Sequence, residues 1–281
     1  QLLAEERYND ALEAFNTAEE LDKNSSNAKA YKGLTLHRLK QTDKAQETLQ
    51  DALRNNPDES MAMVGLGEIE YDRKNDAKAE DYYKEAVKRD NMALAYYRLG
   101  VLKLIKKDNS GAMEAFNKAY RSPDLKEVEK NIRVKLYYNM GKASERLKNS
   151  KEAINYYKKA AELDRNHENS YLALGQLYYD ARNYTDSIYY AKKTYEISDN
   201  NYFAVFLLGK SYDNLKDYKN AVFYYEKALR IKSGEEELFY NLGRVNIFLK
   251  KYNDALVYLN KSLNLNKRSS TYIQHGLALI G

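Results

Sequence analysis

The sequence has no cysteine, no tryptophan, two prolines and three histidines in 281 residues. Without cysteine there is neither a disulfide framework nor a thiolate metal site, and the lack does not fix the compartment, because reduced and disulfide-free exported chains share it. So few prolines leave long helix formers almost uninterrupted, which favours an all-helical chain. No run approaches the roughly 20 apolar residues of a membrane span, and no charged start followed by an apolar stretch marks an export signal.

What is present is 43% hydrophobic and 31% charged residues, enough apolar surface for a sizeable core. Residues 1–92 hold 14 Lys and Arg against 20 Asp and Glu, and residues 93–281 hold 32 against 21. The basic distal part suits an acidic partner, or is simply a set of solvated lysine faces.

The glycines reveal the organisation. Eight of the twelve fall at Gly33, Gly67, Gly100, Gly141, Gly175, Gly209, Gly243 and Gly276, in steps of 34, 33, 41, 34, 34, 34 and 33. Twelve residues behind the glycines from Gly33 to Gly243 runs a small residue, Ala45, Ala79, Ala112, Ala153, Ser187, Ala221 and Ala255, and Ala11 keeps the same step ahead of them. Four residues further comes a large one, as in Leu49, Tyr83, Phe116, Tyr157 and Tyr225, with Ala191 as the single exception; three further comes a second small one. Offsets of four and seven lie on one helical face, so each period holds a glycine-bearing first helix and a second helix with a small, large, small stripe. Glycine inside a helix costs roughly 1 kcal/mol against alanine, a cost that close packing offsets. Short polar turns such as Lys216-Asp217-Tyr218 and Lys250-Lys251-Tyr252 force antiparallel hairpins.

This pattern resembles the tetratricopeptide repeat, with its 34-residue period and W-x-x-L-G-x-x-Y signature. Residues 202–233 fit well, with Leu208-Gly209, Tyr212, Ala221, Tyr225 and Ala228 in register. The opening aromatic is Val205 there, and the closing proline survives only at Pro57. The resemblance implies an all-α, right-handed superhelical solenoid of antiparallel helix pairs. It would form one array over 1–281, with full repeats 26–59, 60–92, 93–133, 134–167, 168–201, 202–235 and 236–268, and partial ones 1–25 and 269–281. The half repeats and the apolar end Leu277-Ala278-Leu279-Ile280 make the chain read as a segment of a longer protein, and that end could self-associate. The 41-residue step places seven extra residues near Ser122–Lys130, with Ser122 as N-cap and Pro123 at the first helical position. They are expected to extend the next first helix backwards so that it protrudes, or else to form a longer loop.

Catalytic and cofactor constellations are missing. His37, His167 and His275 sit in different repeats, Gly65-Leu66-Gly67 lies within a helix, and the carboxylate pairs Glu5-Glu6 and Glu235-Glu236-Glu237 read as solvated helix ends. No cofactor and no metal is therefore expected. Of the 28 tyrosines, the pairs Tyr82-Tyr83, Tyr156-Tyr157, Tyr189-Tyr190 and Tyr224-Tyr225 fall at the second-helix packing stripe, and burial of those rings argues against bases stacking on them as in single-strand binding proteins.

In arrays of this kind the first helices line a concave face. Carried over, the inward positions in repeat 93–133 include Leu94, Tyr97, Arg98, Val101, Leu104 and Ile105, an apolar set. Later repeats supply Tyr138, Asn139 and Lys142, then Leu172 and Gln176, then Phe203, Phe206 and Lys210, then Tyr240, Asn241, Arg244 and Phe248. Asn139 with Lys142 and Asn241 with Arg244 repeat one arrangement, an amide for a peptide backbone and a cation one turn later. The two-carboxylate clamp of chaperone-binding relatives has no counterpart in register. The reading is a non-catalytic scaffold or adaptor that binds a protein or peptide with apolar and acidic side chains, and no nucleic acid. The alternatives are the substrate-recruiting arm of a larger enzyme such as a glycosyltransferase, or a self-assembling scaffold. Lys, Asn and Tyr richness is a bacterial type of composition and leaves cytoplasm, periplasm and cell surface equally open.

Overall fold

The computed structural model describes the backbone of residues 2–281 and the side chains from Arg7 onward. The Glu5-Glu6 pair thus lies outside the described side chains. Among the described residues the chain is helical throughout, without a strand. Its contacts divide it into two compact units, residues 1–149 and 150–281, and the division falls inside the 134–167 repeat.

The first unit contains α1 (Leu2–Leu21), α2 (Ser26–Arg38), α3 (Thr42–Asn55), α4 (Ser60–Asp72), α5 (Asp76–Arg89), α6 (Ala93–Ile105), α7 (Asn109–Arg121) and α8 (Lys130–Arg146). The second contains α9 (Ser150–Leu163), α10 (Glu168–Asp180), α11 (Tyr184–Ile197), α12 (Tyr202–Asn214), α13 (Tyr218–Ile231), α14 (Glu236–Phe248), α15 (Tyr252–Leu265) and α16 (Ser269–Ile280). The tightest associations are the hairpins α2–α3, α4–α5 and α6–α7 in one unit and α10–α11, α12–α13 and α14–α15 in the other.

The glycine and the large residue of each hairpin meet. A Cβ added at Gly209 would stand 2.5 Å from the Tyr225 ring, one at Gly67 2.5 Å from that of Tyr83, and one at Gly33 2.5 Å from Leu49 Cγ. These large residues are fully buried, as are their flanking alanines. The small residues thus let the helix axes approach and the large ones fill the hole opposite. At the Ala191 exception the space facing Gly175 is taken by Leu207, from α12 of the next hairpin.

Each hairpin turn has the same backbone. Lys40, Lys74, Lys107, Lys148, Arg182, Lys216 and Lys250 all sit in the left-handed region, with φ between 59° and 65°. The amide two residues past each C-cap closes back on the first helix, as in Gln41 N–H to Leu36 O at 2.9 Å and Asp217 N–H to Tyr212 O at 2.9 Å. This is the Schellman closure of a helix C-terminus, with a cation where glycine is usual. The next helix is often capped at once: Asp108, Asn183 and Asp217 accept from backbone amides three residues on.

The seven extra residues depart from expectation. First helices α2, α4, α6, α10, α12 and α14 each have 13 residues, whereas α8 has 17 and begins at Lys130. It is extended backwards by one turn. Pro123 opens a separate 3₁₀ turn, Pro123–Lys126, instead of the same helix. That turn does not protrude: the Asp124 carboxylate accepts from the Ala93 amide at 3.0 and 3.1 Å, and the Ser122 hydroxyl donates to Asn91 O. The orphan amide at the start of α6 draws the insert back onto the stack.

Candidate functional site

Within the first unit α2 meets α4 and α6 meets α8; within the second α10 meets α12 and α14 meets α16. No comparable contact joins successive second helices among the described residues. Each unit therefore bends towards its first helices, whose side chains form its inner face.

In the first unit this face is built around a buried ion pair. Glu68 on α4 is 5% exposed and is gripped by the Arg98 guanidinium from α6, with Arg38 of α2 a further 3.9 Å away. His37 lies 3.2 Å from Asp72, yet burial outweighs that carboxylate and holds the imidazole below its ordinary pKa. Arg98, expected as an open groove cation, is thus committed to Glu68. Tyr97, expected as an exposed anchor, is 4% exposed; its ring tilts against Phe116 and its phenol accepts from the Asn139 amide at 3.4 Å. Leu104 is also buried, so the apolar set on α6 is largely internal packing, with Val101 half-buried and Ile105 open. Tyr138 and Asn139 are half-buried, and Lys142 lies over the Tyr138 ring at 5.7 Å.

The inner face of the second unit is more open. Lys210 sits over the rings of Tyr179 at 4.9 Å and Phe206 at 5.6 Å, with Glu237 3.8 Å away. The Asn214 amide donates to the Tyr179 phenol at 3.1 Å. Gln176 is exposed and donates to Asp180 at 2.8 Å. Phe203 and Phe248 are open to solvent, 67% and 53% exposed, and Phe248 is backed by Tyr218, stacked on it at 4.7 Å. Leu172 is part of the packing around Ala191 and Leu207, and Tyr240 packs against the Ala255, Leu259 and Ala278 cluster.

Asn241 is half-buried, but Arg244 one turn later is not a free cation. It forms an ion pair with Asp213, which also accepts from the Tyr225 phenol at 3.3 Å. Burial pushes the Asp213 carboxyl up, and Arg244 pulls it back. The two amide-and-cation pairs are therefore not equivalent: Lys142 retains a loose aromatic contact, whereas Arg244 is spent on an internal charge.

Glu68 was not among the candidates, and Asp213 was not seen as a counter-charge. A readable signal exists: each acid precedes its arginine by 30 or 31 residues, one period less about one helical turn. The two partners therefore face each other across adjacent first helices. Among the described residues no three His, Asp or Glu side chains converge as a metal site would require.

Family models described as tetratricopeptide repeat match residues 2–64, 38–91, 93–122 and 134–167, and one described as anaphase-promoting complex, cyclosome, subunit 3 matches 180–262. No curated protein matches by sequence. Among solved structures the chain is similar to PilF of Pseudomonas aeruginosa, at 20% identity and a TM-score of 0.63 over 81% of this chain and 97% of that one. It is also similar to MamA from Desulfovibrio magneticus, at 18% identity and a TM-score of 0.56 over 63% of this chain and 96% of that one. A third similar structure is the Cut9–Hcn1 hetero-tetramer of the APC/C, at 16% identity and a TM-score of 0.56; the match covers 97% of this chain and about half, 52%, of that one.

Proposed function

Because the chain belongs to the tetratricopeptide-repeat family of protein-interaction scaffolds, we propose that it binds an extended peptide or protein segment along the inner face of its first helices. It carries out no chemistry of its own there. The observation that carries this reading is the second unit's inner face, where Phe203 and Phe248 stand open, Lys210 lies over the Phe206 ring and Asn241 is half-buried. Open aromatic rings next to amides and a cation suit a partner with apolar and acidic side chains. Lys210 is the cation of this face best placed to meet a carboxylate, since its own partner, the exposed Glu237, stands 3.8 Å away, whereas Arg244 is paired with the buried Asp213.

A photo-crosslinking residue at Phe203, on the inner face, tests this against the same residue at Phe223, an exposed position on the second helix α13. A partner crosslinked from Phe203 and lost on Lys210→Glu supports the groove; one crosslinked only from Phe223 moves the interface to the outer face. A second reading is self-association through α16, which exposes Ile273, Leu279 and Ile280. Light scattering over a range of concentrations decides it, and a strictly monomeric chain removes it.

A further inference from the structure

The insert that lengthens one period does more than cap α6. In the first unit, Asp124, Glu127, Val128 and Glu129 close a cavity of about 290 Å³ against α1, α2, α4 and α6 and the start of α8. Its walls are apolar, built chiefly from Phe15, Tyr31, Leu34, Met61, Leu94 and Ile132. At its mouth Tyr31 is stacked on Phe15, ring centroids 5.6 Å apart and nearly parallel, with part of its own ring open to water.

The charges around this cavity are one-sided. Its lining holds three carboxylates, all from the insert, against the single cation Arg38, which faces Glu68. Asp124 is engaged with the Ala93 amide, which leaves the exposed Glu127 and Glu129; the Glu129 side chain makes no cap bond to α8, and of the two it is Glu127 whose charge reaches Tyr31. The same field is felt by the Tyr31 phenol: burial raises its pKa, and Glu59, Glu127 and Asp124 raise it further. A volume near 290 Å³ falls just below the roughly 300–1,000 Å³ range of small-molecule sites, so it suits one side chain better than a whole ligand.

We propose that this cavity is a side-chain pocket for a basic peptide: a leucine-, isoleucine- or phenylalanine-sized side chain enters it, and an adjacent lysine or arginine lies over the Tyr31–Phe15 stack beside Glu127. Aromatic faces and a carboxylate together favour a cation, and the apolar walls favour burial of the neighbouring side chain. This inference rests on the groove reading above and gives the first unit a ligand chemistry opposite in charge to that drawn by Lys210.

A random heptapeptide display library panned against the intact chain tests it, followed by fluorescence anisotropy of the selected peptides at low and high salt. The expected peptides carry Lys or Arg next to a large apolar residue. Glu127→Lys, an exposed change that leaves the core intact, weakens them about ten-fold at low salt. Changing the peptide's basic residue to Glu does the same, and pairing that peptide with the Glu127→Lys protein restores part of the loss. Selected peptides that are acidic, or whose affinity ignores Glu127→Lys, overturn the pocket. If those peptides are lost instead on Lys210→Glu, the groove reading stands without it; if the intact chain selects no peptide at all, both readings fall.

Discussion

Gly209→Ala and Gly175→Ala add the same methyl group at the same point of neighbouring hairpins, and the structure gives them different outcomes. Alanine in a helix interior is favoured over glycine by roughly 1 kcal/mol, a gain common to both. At Gly209 the new Cβ lies 2.5 Å from a Tyr225 ring that is 1% exposed and tethered through its phenol to Asp213. The ring has nowhere to go, and overpacking of this kind costs typically 1–3 kcal/mol, occasionally more. At Gly175 the nearest atoms are Leu207 Cδ2 at 3.1 Å and backbone atoms at 3.3 and 3.4 Å, which yield by a few tenths of an ångström. Gly209→Ala should therefore lose up to about 2 kcal/mol, or up to about 6 °C in Tm, whereas Gly175→Ala should stay within about 0.5 kcal/mol of the parent. Urea and thermal unfolding followed by far-ultraviolet circular dichroism measure both, with hydrogen exchange in α10–α13 to locate the loss. Equal destabilisation by the two substitutions would refute the argument that the large residue opposite the glycine sets the cost.

Three further outcomes follow from the same geometry. Arg98→Ala strands a buried Glu68 and should cost about 3 kcal/mol, while the Arg98→Ala, Glu68→Ala pair should recover much of it in a double-mutant cycle; additive losses would mean that the pair is not coupled. His37 is held below its ordinary value of 6.5 by burial, so the unfolded chain takes up this proton first, and the first unit should lose stability as pH falls below about 6.5. His37→Gln should flatten that slope and leave the one below about 4.5, which belongs to Glu70, where burial is outweighed by bonds from Lys78 and Asn75, and to Glu80, held down by Lys106 and Lys84. Lys216→Gly removes a left-handed lysine from a Schellman closure and should stabilise by up to about 1 kcal/mol in denaturant titration, since glycine adopts that conformation without strain.

The helix pairing was legible because it depends on local periodicity: Gly209, Ala221, Tyr225 and Ala228 report on each other across one turn and one hairpin. The left-handed lysines were not, because nothing in the residue type announces a positive φ; only their recurrence at a fixed distance behind each glycine does. The inner face was legible as a set of positions and illegible as chemistry. Whether an arginine is free depends on an acid one repeat away, and position alone assigned Arg98 and Arg244 to a ligand when Glu68 and Asp213 had already claimed them. Tyr97 was misplaced for a related reason: Asn139, 42 residues on, turns inward to meet it. The fold of the insert was decided by an unpaired amide at Ala93, which no local pattern reveals.

Repeat arrays invite cutting and splicing, on the premise that one unit can be exchanged for another. The hairpin α10–α11 breaks that premise, since the side chain that plugs its interior, Leu207, is encoded in the hairpin that follows. A graft of residues 168–201 into another array would arrive with a void beside Gly175, and a truncation after Asn201 would leave the same gap at the new end. Any shortened or recombined version of this chain should therefore carry 168–235 as one indivisible cassette.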